Sequence, residues 1–326
     1  MRQALAGLPR IRAEAHCVEL RLDLFEEPFD LRALLAERGD LPVVVTLRPP
    51  EQGGRSLLPP AERLAVLREA AEQGAEYVDL EYDVASPAAI AELRAAGTRV
   101  IVSRHDFSAM PRLTDWWGEL SNLGADVVKV VGTARHVCDA LEVTRTFRAA
   151  TQPTIAIAMG APGLLTRVLA LREEHCLLTY AALDAGGGTA PGQITAREMR
   201  EAYHADRLGP ATRVYGLLGP HDEAERLTEY NAWFAADGIA GVAVPLHVES
   251  DAAAVVAAYR ELPVSGWHVH GAALQTDVLA RLDHLSPAAT RQAKANAITR
   301  RADGTLEGHW VESPRQQYEL WRAADG

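Results

Sequence analysis

Lys129 stands in the run DVVKVV at 126–131, flanked by Val127 and Val128 on one side and Val130 and Val131 on the other. Its amine interrupts an otherwise apolar strand. Burying an ammonium is costly, and nearby arginines would depress its pKa further, leaving an amine able to attack a ketone. A lone lysine in such a run is better read as a strand-end residue reaching solvent, so its company decides the matter. That company is Glu19, Arg21 and Asp23 in one run, Arg48 in a second, Glu81 in a third, His105 in a fourth and Arg167 in the loop after a sixth. His105, in SRHDF, can act as general acid and base near neutral pH, as an imine mechanism requires; alone, it reads as well as a histidine bonded to a neighbouring strand. Arg167 follows two glycines in MGAPGLLTR, where a guanidinium can grip a carboxylate in two-pronged fashion; a surface arginine on the next helix is the plain alternative. Gly186, Gly187 and Gly188 lead into TAPGQ at 189–193, a loop that ends in amide and hydroxyl groups and by itself reads only as a turn.

These side chains need a common scaffold, and residues 17–183 supply its rhythm. Short β-rich runs occur at 17–25, 43–48, 77–83, 99–106, 126–131, 154–160 and 176–183, separated by stretches such as AERLAVLREAAEQGA. Each run reads as a buried parallel strand and each interval as a crossover helix. The carboxyl ends of such strands converge on one mouth, where barrel enzymes carry their chemistry. Seven strands are visible and a (β/α)8 barrel needs eight; MRQALAGLPRIRAEAH reads as a first helix without its preceding strand. After a boundary near Leu208–Thr212 the pattern restarts with RVYGLLG at 213–219, a helix over 223–236, GVAVPLHV at 241–248 and SGWHVHG at 265–271. A hairpin is expected at 298–310, with Asp303-Gly304 as a type I′ turn. The chain therefore divides into 1–208 and a smaller α/β domain, 213–326.

Length and composition fit that division. Of 326 residues 48% are apolar and 24% charged, enough for a large core and against wholesale disorder. The 33 basic residues against 44 acidic ones give a net charge of −11, which argues against a general nucleic-acid or anionic-membrane surface. An anionic ligand would have to be met by cations inside a pocket. The longest uncharged stretch, between Arg148 and Arg167, contains Pro153, Gly160, Pro162 and Gly163 and so cannot span a membrane. The first residues lack the apolar core of a secretory signal, which points to the cytoplasm. Cys17, Cys138 and Cys176, odd in number and widely spaced, suit a reducing compartment and read as small buried side chains.

The motifs ELRLD, TLRPPEQGG, DLEYD, SRHDF, ADVVKV, MGAPGLLTR and TAPGQI occur here in the order found in type I 3-dehydroquinate dehydratase, and residues 17–194 resemble that family. The resemblance implies a (β/α)8 barrel in which Lys129 forms an imine with the C3 ketone of 3-dehydroquinate. It implies that His105 takes the C2 proton and helps expel the C1 hydroxyl, giving 3-dehydroshikimate. Glu19, Arg21 and Arg48 would hold ring hydroxyls, Arg167 the carboxylate, and Thr189 and Gln193 the closing loop. The imine is itself the electron sink, so the reaction needs no metal and no soluble cofactor. A homodimer is compatible with this reading. Two departures from the pattern stand out. The family has a glutamate four positions after the TxR arginine that bonds the catalytic histidine; here that position is Gln52, leaving Glu51 or Glu81 to substitute. The other is the absent first strand.

The segment 213–326 is similar to the substrate-binding half of shikimate dehydrogenase, with its functional positions eroded. The family's serine pair falls near Ala224 and Arg226, its lysine on Leu274, its asparagine near Asn296 or Ala297 and its second carboxylate near Glu312. No G-x-G-x-x-G occurs, and too few residues remain for a nucleotide domain, so oxidoreductase activity is not expected. His268 and His270 share a strand face but have no third ligand at useful spacing and read as structural. Two alternatives stay in view: a regulator or scaffold that binds the pathway's ligands without turning them over, and another lysine-dependent lyase or aldolase on the same barrel.

Overall fold

The computed structural model describes residues 2–25, 30–184, 186, 188, 192–220, 224–262 and 264–324. Six strands, β1 (Val18–Arg21), β2 (Val43–Thr46), β3 (Tyr77–Glu81), β4 (Arg99–His105), β5 (Val127–Thr133) and β6 (Thr154–Met159), form one parallel sheet in sequence order. VVVT in β2 and TIAIAM in β6 are buried at every position, as expected of strands covered on both faces. The outward residues, among them Val43, Val78, Val100, Val128 and Ala156, pack against crossover helices such as Pro60–Glu72, Pro87–Ala95 and Leu113–Ser121. Two of these helices begin with Pro at the first helical position, where its missing N–H costs nothing. Ser86 caps the second by accepting from the Ala89 N–H. The inward residues Val44, Tyr77, Ile101, Val127 and Ile155 make an apolar floor beneath the carboxyl ends of the strands.

The seventh expected strand, 176–183, is not a strand of this sheet. It touches β6 through one parallel bridge, Cys176 to Thr154, with the Leu177 N–H donating to the Thr154 carbonyl at 3.0 Å. A ladder needs a partner along its length, and among the described residues no strand lies between this segment and β1. A cavity of about 940 Å³ occupies the interval, lined by Cys17, Val18 and Glu19 on one side and Leu177, Thr179 and Ala181 on the other. The first helix, Arg2–Glu14, crosses below it and sends Arg10 to Asp184 and the Leu183 carbonyl. The sheet is thus a six-strand arc of the barrel rather than a closed (β/α)8.

A second sheet contains β7 (Arg213–Gly219), β8 (Gly241–His247), β9 (Val264–Val269), β10 (His284–Leu285), β11 (Ala297–Arg300) and β12 (Leu306–His309), in the order β10-β12-β11-β9-β7-β8. β7 runs parallel to β8 and β9, while β11 is antiparallel to β9 and β12. Its core is aromatic: Tyr215 stacks on Phe234 and Trp321 at centroid separations of 4.8 and 4.6 Å. Gly266 makes room for it, since a Cβ there would sit 2.5 Å from the Trp321 indole nitrogen. The hairpin differs in its turn. Arg300 pairs with Leu306, so the loop is longer than two residues, and Gly304 has φ +82 while Asp303 stays at negative φ. A type I′ turn needs positive φ at both central residues. No helix among the described residues is long and apolar enough to cross a membrane.

Helical segments of the first unit share one continuous core with the second sheet. Val137, Leu165, Val168, Met199 and Tyr203 pack in the same cluster as Leu217, Tyr230, Val244 and Tyr259. The buried Tyr259 hydroxyl donates to the Val137 carbonyl at 2.7 Å. Asn231, on the helix Ala224–Ala236, donates to the Ala202 and Ala243 carbonyls and accepts from the Ala243 N–H at 2.7 Å. Replacing it with Ala orphans backbone groups on both sides of the junction, so Asn231→Ala should cost about 3 kcal/mol in urea unfolding, given ~1–3 kcal/mol for each buried group left without its partner. An unchanged midpoint would show that the junction does not depend on that side chain.

Candidate active site

Strand geometry sends alternate residues inward, and above the apolar floor these are polar. They are Glu19 and Arg21 from β1, Thr46 and then Arg48 from β2, Asp79 and Glu81 from β3, Ser103 and His105 from β4, and Lys129 from β5. Lys129 pairs in register with Ser103, and Glu81 with Ser103 from the other side. Lys129 Nζ lies 2.7 Å from Asp79 Oδ2, 3.2 Å from the Tyr180 hydroxyl and 3.7 Å from Glu19 Oε1. The same Asp79 oxygen takes Arg48 Nη2 at 2.8 Å, while its other oxygen accepts from the Ser103 hydroxyl. Arg48 Nε binds Glu81 Oε1 at 2.5 Å, and Glu81 Oε2 faces His105 Nδ1 at 3.5 Å. Arg21 grips Asp23 with two donors at 2.9 and 2.7 Å.

The loop after β2 explains why TLRPPEQGG has two glycines. It turns back so that the Ser56 N–H reaches the Arg48 carbonyl at 2.9 Å, and a Cβ on Gly54 would sit 2.0 Å from that carbonyl oxygen. Gly53 has φ +78 and lies against the Phe107 ring. The turn delivers Gln52, whose Oε1 accepts from the backbone N–H of His105 at 2.8 Å. The amide holds the main chain of the histidine and leaves its ring to Glu81.

Charges are balanced within this cluster. Burial alone would push Lys129 down, but Asp79 foremost, with Tyr180 and Glu19, outweighs it and raises the pKa. This corrects the expectation that the arginines would depress it: Arg48 does pull it down, but Asp79 and Glu19 beside the amine pull further the other way. Asp79 is held below the usual carboxylate range because Lys129 and Arg48 overcome the effect of burial. Burial lifts Glu81, against the pull of Arg48. His105 is driven well below its ordinary value by burial, then by Arg48 and Lys129, so it is neutral at rest.

Most of the expected residues come together. Lys129, His105, Glu19, Arg21, Arg48, Arg167 and Gln193 line one cavity with Phe107, Met159 and Tyr180. Arg167 sits not in a loop but in the short helix Leu164–Leu169, fully buried, and burial lowers its pKa to about 10. Thr189 lies outside the described residues. Asp79, Ser103 and Tyr180 join the site beyond the residues the sequence singles out, although VDLE carries the same signal as VVKVV, a charge inside an apolar run. In the second unit the eroded positions have structural partners. Leu274 is buried, and Asn296 exchanges two hydrogen bonds with the Val311 backbone at 2.7 and 2.9 Å. Glu312 accepts from the Trp310 indole at 3.0 Å, and His268 Nδ1 meets Gln317 Oε1 at 2.7 Å.

The family model for type I 3-dehydroquinase matches residues 1–210. The chain is similar to the chloroplastic bifunctional 3-dehydroquinate dehydratase/shikimate dehydrogenase of Arabidopsis thaliana, 32% identical over 308 residues that cover 90% of this chain and 50% of that protein. It is similar to the 3-dehydroquinate dehydratase of Pyrobaculum aerophilum, 34% identical over 202 residues, 61% of this chain and 64% of that one. The chain thus spans half the length of the first relative and under two thirds of the second. The crystal structure of 3-dehydroquinate dehydratase from Geobacillus kaustophilus shares the fold, with a TM-score of 0.55 at 24% identity over 61% of this chain and 84% of that one.

The buried neutral histidine has a consequence for stability. A group whose folded pKa is depressed binds protons more readily when unfolded, so its contribution is present above the unfolded value, about 6.5 for His, and is lost as the pH falls below it. The slope is about 1.4 kcal/mol per pH unit for one group. Urea unfolding at about pH 7 and about pH 5.5 should therefore show His105→Gln losing roughly 1 kcal/mol less stability than the parent chain. Equal losses would mean that His105 takes up a proton in the folded site.

Proposed function

The chain belongs to the type I 3-dehydroquinase family, and from that premise we propose that it dehydrates 3-dehydroquinate to 3-dehydroshikimate through an imine on Lys129. The observation that carries the reading is the buried group in which a lysine, a neutral histidine and three arginines line one cavity. In this reading the ammonium of Lys129 gives up a proton before Nζ attacks the C3 carbonyl, and the carbinolamine loses its oxygen as water. The protonated imine then withdraws electrons from C2. His105 takes the C2 proton, the enamine pushes out the C1 hydroxyl, and the proton held by His105 leaves with it as water. Hydrolysis of the imine frees the product and restores Lys129. The substrate minus one water equals the product, so no oxidant or reductant enters.

Arg167 is the residue we assign to the substrate carboxylate, and Glu19, Arg21, Arg48 and Gln193 to its hydroxyls. A guanidinium kept charged yet buried forms stronger bonds to a carboxylate than one in water. Thr189 keeps its expected place in the closing loop as part of this proposal. The second unit, 213–326, we read as a separate domain without oxidoreductase activity. In support, Leu274 stands where a catalytic lysine would be needed, and the unit has a six-stranded sheet of its own.

The test is intact mass after incubation with 3-dehydroquinate and borohydride, beside the absorbance of the enone product. The parent chain should form both adduct and product, and Lys129→Ala neither. A folded chain giving neither would move the assignment to a ligand-binding protein without turnover. Oxidation of NADPH in the presence of 3-dehydroshikimate should be undetectable; its appearance would overturn the reading of the second unit.

A further inference from the structure

Glu81 Oε2 and His105 Nδ1 are both buried, face each other at 3.5 Å, and neither has a hydrogen-bond partner among the described residues. Two such atoms facing each other are unstable as bystanders, because a buried polar atom left unmet loses the hydrogen bonds that water gave it. One proton between them satisfies both. Glu81 is fixed from its other oxygen by Arg48 Nε at 2.5 Å, so its position is set independently of the histidine. Gln52, at the position where a carboxylate partner would be sought, spends its carbonyl oxygen on the His105 main-chain N–H at 2.8 Å and its amide nitrogen on the Glu51 carbonyl at 3.4 Å.

We propose that Glu81 is the positioning residue of His105: it accepts a hydrogen bond from Nδ1–H, fixes the ring tautomer, and leaves Nε2 as the proton acceptor toward the cavity of Lys129. This rests on the dehydratase reading for its catalytic consequence, but not for its geometry. The work is divided between two side chains, Gln52 holding the backbone of residue 105 and Glu81 the ring. When Nε2 takes the substrate proton, the imidazolium gains an anion at its back, and the separation of 3.5 Å shortens as charge develops. The charged groups that bear on this pair are Arg21 from β1, Arg48 after β2, Asp79 beside Glu81 on β3 and Lys129 from β5, while the Phe107 ring stacks on His105 at 6.1 Å.

The experiment is ¹⁵N NMR of the His105 ring, assigned by its loss in His105→Gln, together with the pH dependence of kcat and KM. In the parent chain the neutral ring should carry its proton on Nδ1, a readout that needs neither a variant nor activity; a ring protonated on Nε2 with bare Nδ1 overturns the proposal. In Glu81→Gln the Nδ1–H preference should be lost, kcat should fall about 10- to 100-fold with KM nearly unchanged, and the acid limb of the profile should move to lower pH. Glu81→Asp, which keeps the charge on a shorter arm, should fall between the two. If Glu81 serves only as a counterion of Arg48, Glu81→Gln will change KM or stability and leave the tautomer and acid limb where they were. Should the parent chain show no turnover, the dehydratase reading fails while the tautomer still decides the role of Glu81.

Discussion

The polar interior of the first unit depends on one buried carboxylate. Asp79 Oδ2 holds Lys129 at 2.7 Å and Arg48 at 2.8 Å, and its other oxygen takes the Ser103 hydroxyl. Two cations sharing one anion in a dry interior would repel each other and be expelled without it. With it, they sit in fixed rotamers, and Arg48 is left with Nε free to bind Glu81. The carboxylate therefore sets the position of the lysine directly and that of the histidine at one remove. The pairing that makes Lys129 tolerable in the interior also raises its pKa, so the ammonium gives up its proton less readily than an exposed one.

Parallel strands make such a network possible with little strain. Successive inward residues lie two positions apart, and the in-register pairing of β2 through β5 brings a residue from each strand to the same height. The buried floor of Val44, Tyr77, Ile101, Val127 and Ile155 lies beneath the charges of Asp79, Glu81 and Lys129, which are themselves buried, so these interact in a medium of low polarisability. Helices on the outer face lock the strands laterally. The same sheet could hold an unrelated set of side chains at its carboxyl end, which is why the assignment rests on the cluster and not on the fold.

Much of this was legible in the sequence, and the reasons differ by residue. Lys129, Glu81 and Arg48 could be found because a charge inside or at the end of a β-rich run contradicts its surroundings. Asp79 bears the same mark in YVDLE but is masked by Glu81, two residues on and on the same face. Tyr180 gave no signal, since a tyrosine in LLTYAAL suits a buried strand whether or not its hydroxyl has a task. The direction of the Lys129 shift could not be read either, because it depends on which carboxylates already hold the arginines, a matter of distances. The seventh run shows the limit of periodicity: 176–183 has the composition of a strand, but a strand exists only with a neighbour to pair with. The turn at Asp303-Gly304 likewise depended on register, which dipeptide preference does not determine.

The two sides of the site are unequal in how they are held. Asp79, Glu81, Ser103, His105 and Lys129 stand on strands laddered on both sides, whereas Tyr180 comes from a segment tied to β6 by a single bridge and to Thr195 by another at Ala182. Arg167 joins the two sides by donating to the Tyr180 carbonyl at 3.4 Å, and Gln193 enters the cavity from beyond that segment. Segments with few backbone bonds open at lower free energy than laddered ones. Arg21 and Arg48 stand with the acid–base and nucleophilic groups at the carboxyl ends of the laddered strands, while Tyr180 and Gln193 reach the cavity from the looser side. Lys129 sits at the seam, held by Asp79 on the laddered side and by the Tyr180 hydroxyl on the other, so its surroundings are set jointly by both.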